Sequence, residues 1–168
     1  DIVTDESGNE VVLLPEIIFS NKQNINWNDV EDYLGKYVGE LIEIAETRDI
    51  IYIGNKFPDE YGGSSYTRKT KGARAKAKAN AAQGIREMVE IATDKVYREN
   101  HKEKHSEDAH NGWFYYVTRF AIPLYNNEKK TGEYNVYSAC LVVNHAANGK
   151  MYLYDVVGIK KEASNPLK

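Results

Sequence analysis

Hydrophobic positions along this chain follow two rhythms. Between residues 112 and 161 they alternate with polar ones at a period of two, in segments rich in Tyr, Val, Phe and Trp. That pattern fits a pleated, half-buried surface and predicts three long strands in succession, at 113–125, 134–145 and 150–160. The links are turn-rich. Residues 126–132 join the first pair, and Ala147, Asn148 and Gly149 join the second, where Asn-Gly favours a tight hairpin. An antiparallel meander is therefore expected. On its first strand Phe114, Tyr116, Thr118, Phe120 and Ile122 share one face, and Tyr115, Val117, Arg119 and Ala121 share the other. On its third, strict alternation sets Tyr152, Tyr154, Val156, Gly158 and Lys160 on one side.

Upstream the period changes. Val30, Tyr33, Leu34, Tyr37 and Val38 recur at helical spacing behind Asn26, a good N-cap, and Gly39 stops the run. Two short apolar runs, at 41–46 and 50–53, read as a hairpin turned at Thr47, Arg48 and Asp49. Residues 54–72 have no period and read as a long loop. Alternating alanines from Ala73 predict a helix that continues through Ile85, Met88, Val89 and Ala92, with Gly84 weakening it. Residues 1–15 are expected to be a loose N-terminal arm, although Val11–Leu14 could pack as an edge strand before Pro15. Residues 16–168 are expected to form a single α+β domain, its sheet packed against two or three helices.

Length and a 42% hydrophobic content suit one domain with a real core. One cysteine, Cys140, precludes an intramolecular disulfide and reads as a small core residue. No apolar run is long enough to span a bilayer, and the opening Asp-Ile-Val-Thr reads as the start of a piece of a longer polypeptide. Net charge is −3, unevenly spread: residues 1–60 carry 14 acidic and 4 basic side chains, residues 61–168 carry 11 and 18. Such asymmetry suits a polyanionic ligand. The basic excess is densest at Arg68, Lys69, Lys71, Arg74, Lys76 and Lys78, a candidate nucleic-acid-binding run; a solvated helix end would look the same. Residues 101–110 read as a short polar helix. His101 and His105, at i and i+4, share one face of it, but His110 is off that face and the HExxH arrangement is absent, so no metal or other cofactor is expected.

Several segments carry a further signal. Ile51-Tyr52-Ile53-Gly54, Pro58-Asp59-Glu60-Tyr61, the run Ala77 to Ile85, Lys104-His105, Gly112-Trp113, Thr118 to Pro123, Asn144-His145-Ala146, Tyr152 to Asp155 and Ile159 to Glu162 are in this order. In wording and order they resemble a domain of the large polyvalent proteins of phages and conjugative elements. Those domains look like the nuclease group of barnase, EndoU, the tRNase colicins and RelE. The resemblance covers most of the chain after about Pro15. It implies a small α+β fold and metal-independent cleavage of RNA, tRNA among the candidate targets, in the cytoplasm of the host or target cell. It also implies an inhibitor or immunity partner and no membrane association.

Cleavage of this kind needs a base, an acid and a cation at one phosphate. By role, the resemblance points to His105 and His145 for the proton transfers, Arg119 and Lys160 for charge, and Tyr154 to orient a base. A common cleft of His105, Arg119 and His145, with Lys160 at its rim, is then expected. Alternation sets His145 with Tyr137, Ala139 and Leu141, so it reaches the cleft only if its strand ends or bends at Asn144. His105 needs the Asn111-Gly112 turn to swing it over the sheet. A non-catalytic module that binds nucleic acid or protein is the competing reading, since the basic run and stacked tyrosines would suffice for it. A transferase using NAD would need a sugar-binding triad that is not recognisable here.

Overall fold

The structure is a computed structural model that describes residues 1–20, 24–99 and 111–162. From the N-terminus, β1 (Ile2–Thr4) and β2 (Glu10–Leu13) form a hairpin, and α1 (Trp27–Leu34) follows. A second hairpin pairs β3 (Leu41–Glu43) with β4 (Ile50–Tyr52). The helices α2 (Phe57–Gly63), α3 (Ser65–Lys69), α4 (Gly72–Ala81) and α5 (Ile85–Glu90) come next. Then β5 (Thr93–Arg98) leads to the long strands β6 (Trp113–Asn126), β7 (Lys129–His145) and β8 (Met151–Lys161).

The fold is α+β, and its sheet is mixed. The expected antiparallel meander of β6, β7 and β8 forms the middle, but the strand order is β1-β2-β6-β7-β8-β4-β3, with β5 also on β6. β2 joins β6 in parallel and β4 joins β8 in parallel, so both outer edges of the meander are partly covered. The sheet curls. The turn between β3 and β4 reaches the central strands on the helix side, where Asp49 accepts from Tyr116 Oη at 2.7 Å and pairs with Lys95 Nζ at 2.8 Å. Helices fill that same side. Val30 and Leu34 of α1, Ile85, Met88 and Val89 of α5, and Tyr116, Phe120, Leu141 and Val143 of the sheet form one buried cluster.

Several expectations change. The supposed loose arm is a hairpin, because Val11, Val12 and Leu14 are buried and Leu14 N–H donates to Ala121 O at 3.0 Å. α5 approaches this hairpin at Gly84, where a Cβ would lie 2.9 Å from Leu14 and 3.1 Å from Val12. The expected long loop contains α2 and α3. Ser64 caps α3, Phe57 and Tyr61 bury into the core, and these local contacts replace a periodic signal. β5 follows the helices unannounced, since Asp94 to Arg98 are exposed and show no alternation. The link between β6 and β7 shrinks to Asn127 and Glu128, both at positive φ, as a two-residue hairpin turn requires.

Strict alternation also fails on β8. Register shifts opposite residues 138–140 and 142–143 turn Asp155 and Val156 inward, while Tyr154 and Val157 pack on the outer face with Trp113 and Val142.

Candidate nucleic-acid interface

The face of the meander turned away from the helices carries Arg119 on β6, opposite Ser138 on β7, which lies opposite Lys160 on β8. The three side chains form one row across three strands. Two strand spacings separate the Arg119 and Lys160 backbones by about 10 Å, so both long side chains can reach one phosphate. Arg119 is held through its Nε, which donates to Glu162 Oε1 at 2.9 Å. Its Nη nitrogens make no hydrogen bond to a described residue, which leaves the planar fork open for an oxyanion. Glu162 is fixed in turn, because its N–H donates to Val136 O at 2.9 Å. A small cavity of about 110 Å³ opens beside Arg119, between Asn9 and Glu10 of the first hairpin and Thr93 of β5.

Above this row the outer face becomes apolar and aromatic. Val117, Cys140 and Val157 come next, then Tyr115, Val142 and Tyr154 with Trp113. Trp113 and Tyr154 meet edge to face, 5.0 Å between ring centroids. Burial pushes the Cys140 thiol up, which disfavours the thiolate a nucleophile needs.

The basic run borders Lys160. Tyr66 of α3 accepts the Ile159 N–H through its hydroxyl at 2.9 Å, satisfying part of the β8 edge that no strand pairs among the described residues. The same tyrosine walls a shallow depression together with Lys69, Thr70, Lys71 and Arg74. Arg68, Lys69, Lys71 and Arg74 are exposed and Lys76 is half-buried. Lys78 does not belong with them. Its helix face turns inward, its side chain is fully buried, and its Nζ lies 2.6 Å from both Asp155 Oδ1 and Thr67 Oγ1. Burial draws the Lys78 ammonium down and the Asp155 carboxyl up from their ordinary values, against the attraction of the pair. Lys78 is an internal strut, and the sequence pattern missed this because its alanine neighbours give α4 little contrast between faces.

The expected common cleft does not assemble as a whole. Arg119 and Lys160 come together. Tyr154 shares their face but stands further along β8. His145 keeps the parity of Leu141 and Val143, so it points to the helix side, 5.6 Å from the Phe114 ring, whose face carries Lys95 Nζ at 4.3 Å. It is also seven residues along β7 from Ser138, so it reaches neither Arg119 nor Lys160. The strand stays paired through Asn144 and His145, and the bend that would have swung the imidazole outward is absent. His105 and the short helix expected at 101–110 lie outside the described residues. Nothing in the local pattern of the sequence marks Glu162, since its pairing with Arg119 spans 43 residues.

No group of three or more His, Cys, Asp or Glu that could hold a metal ion occurs among the described residues. No helix among them is long and apolar enough to cross a membrane. Comparison of the chain with protein-family models, with curated proteins and with solved structures finds no match in any of the three.

Proposed function

We propose that this domain is a metal-independent endoribonuclease that binds single-stranded RNA across the outer face of its sheet. The observation that carries the reading is the row of Arg119, Ser138 and Lys160, with the Glu162 carboxylate on the Arg119 guanidinium. Arg119 and Lys160 neutralise the phosphate and its developing charge. Glu162 takes the proton of the 2′-hydroxyl as its oxygen attacks phosphorus. The 5′-oxygen leaves with a proton from a second group, a role that fits His105 by its chemistry. A 2′,3′-cyclic phosphate and a 5′-hydroxyl result. The aromatic residues beyond the row offer stacking surfaces for neighbouring bases, and the cations around Tyr66 extend the path of the backbone. The resemblance to the nuclease domains of mobile-element polyvalent proteins supports the same assignment. It brings with it tRNA as a candidate target, a cytoplasmic site of action and an inhibitor partner.

The position of His145 favours a second reading, a module that binds RNA without cutting it. One experiment separates the two. Purified domain is incubated with labelled RNA in EDTA, beside Arg119→Ala, Glu162→Gln and His105→Ala. The nuclease reading expects cyclic-phosphate ends in EDTA and a loss on the order of a hundredfold or more in each variant. RNA binding with no cleavage by the unaltered chain would establish the binding module instead. In either case Lys69, Lys71 and Arg74 changed together to Ala should weaken binding and flatten its salt dependence, because fewer counterions are released. An unchanged slope would remove the basic run from the interface.

A further inference from the structure

A second concavity opens at the other end of the outer face, where β7 and β8 meet the segment after β4. It has a volume of about 240 Å³ and is lined by Gly54, Asn55, Lys56, Asn144, Tyr152 and Tyr154, among others. Pockets for drug-sized ligands are larger, about 300–1,000 Å³, so this one suits a single planar ring system. Its walls suit the same shape. Tyr152 lies against the backbone at Gly54, where a Cβ would approach its ring to 3.3 Å, and Tyr52 supports it from behind at 5.7 Å. Asn148 Nδ2 donates to the Tyr152 hydroxyl at 3.2 Å and holds the ring in place. Tyr154 is braced by Trp113.

One polar group in this wall is unexplained. Asn144 is only 7% exposed, and its Oδ1 is buried with no hydrogen-bond partner among the described residues. A buried acceptor left unpaired opposes folding, and nearly all such groups in folded proteins are satisfied. Asn144 sits on β7 between Trp113 of β6 and Tyr152 of β8, on the outer face. The amide therefore lies among aromatic rings in a cavity with room for one more flat ring.

We infer that this pocket binds a nucleobase, gripped between the tyrosines and read on its hydrogen-bonding edge by the Asn144 amide. Adenine fits best, because an asparagine amide accepts from its N6 amino group and donates to N7 together. The inference deepens the ribonuclease reading by naming the site's base preference. Asn144 is six residues along β7 from Ser138, roughly 20 Å at the rise of a strand. The pocket thus reads a base some nucleotides along the RNA strand from the phosphate bound at Arg119, not the base at the point of cleavage.

The test uses AMP, with ribose 5-phosphate as the probe that lacks a base, followed by Trp113 fluorescence and by amide NMR shifts. Shifts at the pocket residues with AMP, and none at those residues with ribose 5-phosphate, are expected; shifts at Arg119 and Lys160 with either probe report their shared phosphate. Asn144→Leu should weaken AMP binding at least tenfold while leaving the melting temperature unchanged or raised, since it removes the orphan acceptor. If that variant does not fold, Tyr152→Leu serves, with the same tenfold loss expected. Equal shifts at the pocket residues with both probes, no shift there with AMP, or undiminished AMP binding at the pocket in the folded variant would overturn it. A short adenine-containing RNA distinguishes a free nucleotide site from an RNA subsite. Tighter binding of the oligomer than of AMP, lost in Arg119→Ala while AMP binding persists, supports the RNA subsite. Equal affinities would overturn the link to RNA. Failure of cleavage with AMP binding intact would strike the nuclease reading alone.

Discussion

Arg119 shows how one residue takes its meaning from its surroundings. A guanidinium in the middle of a strand needs either a partner or an open face, and here it has both: Nε is spent on Glu162 and the Nη pair remains available. Cys140 lies one row away on the same face, opposite Val117 and Val157. Its raised thiol makes it a packing residue despite its place beside the candidate site. Cys140→Ser should keep RNA binding and cleavage at the level of the unaltered chain and cost about 1 kcal/mol of stability. Denaturant unfolding beside a cleavage assay checks this, and loss of activity in a folded variant would make the thiol functional.

α4 is amphipathic in an unusual way, since its buried side carries a charge. Lys78 crosses to Asp155 at the bulge of β8, and the Tyr61 hydroxyl donates to Lys78 O at 2.5 Å. Asp155 also accepts the Val156 N–H at 2.8 Å, so the bulge and the ion pair stabilise each other. Through this strut the helices are pinned to the strand that presents Tyr154 and Lys160. Removing one partner strands a buried charge, and Lys78→Met or Asp155→Leu alone should each cost about 3–5 kcal/mol. The double substitution should recover much of that loss, because no charge is left unpaired. Thermal or denaturant unfolding of the three variants measures the coupling. Additive losses would mean that the two residues act separately.

Across the whole molecule the curl of the sheet depends on contacts between its far edge and its centre. Asp49 on the turn of β3 and β4 makes two of them, with Tyr116 and Lys95. Burial pushes its carboxyl up, but hydrogen bonds from Lys95, Thr47 and Tyr116 outweigh this and hold it below the ordinary value. A lowered folded-state value means that the contribution is fully present above the unfolded carboxylate range, about pH 4, and is lost as pH falls through the lowered value. Melting temperatures between pH 7 and pH 2 should therefore fall less steeply for Asp49→Asn than for the unaltered chain. Parallel curves would show that Asp49 does not couple the sheet edge to acid stability.

The long strands, the helix behind Asn26 and the presence of a basic surface followed from local rules: alternation, capping and charge density act over a few residues and are written in order along the chain. Arg119 and Lys160 were legible as candidates for the same reason, as cations at outward positions of strands. The side that His145 takes follows from alternation as well, and the structure decided only that β7 stays paired through Asn144. The pairing of Arg119 with Glu162 and the burial of Lys78 were not legible. Each depends on contacts between residues far apart in sequence, or on whether a strand slips its register, and one bulge exchanges the two faces of everything beyond it. α2, α3 and β5 escaped because their stability comes from tertiary packing or edge pairing, which leaves no period in the sequence. The Asn144 pocket likewise exists only where three separate stretches, 54–57, 144–146 and 152–154, are brought side by side. The order of residues therefore determined the elements and the sign of the charge on them, while the long-range register of the sheet decided which of those charges face a common ligand.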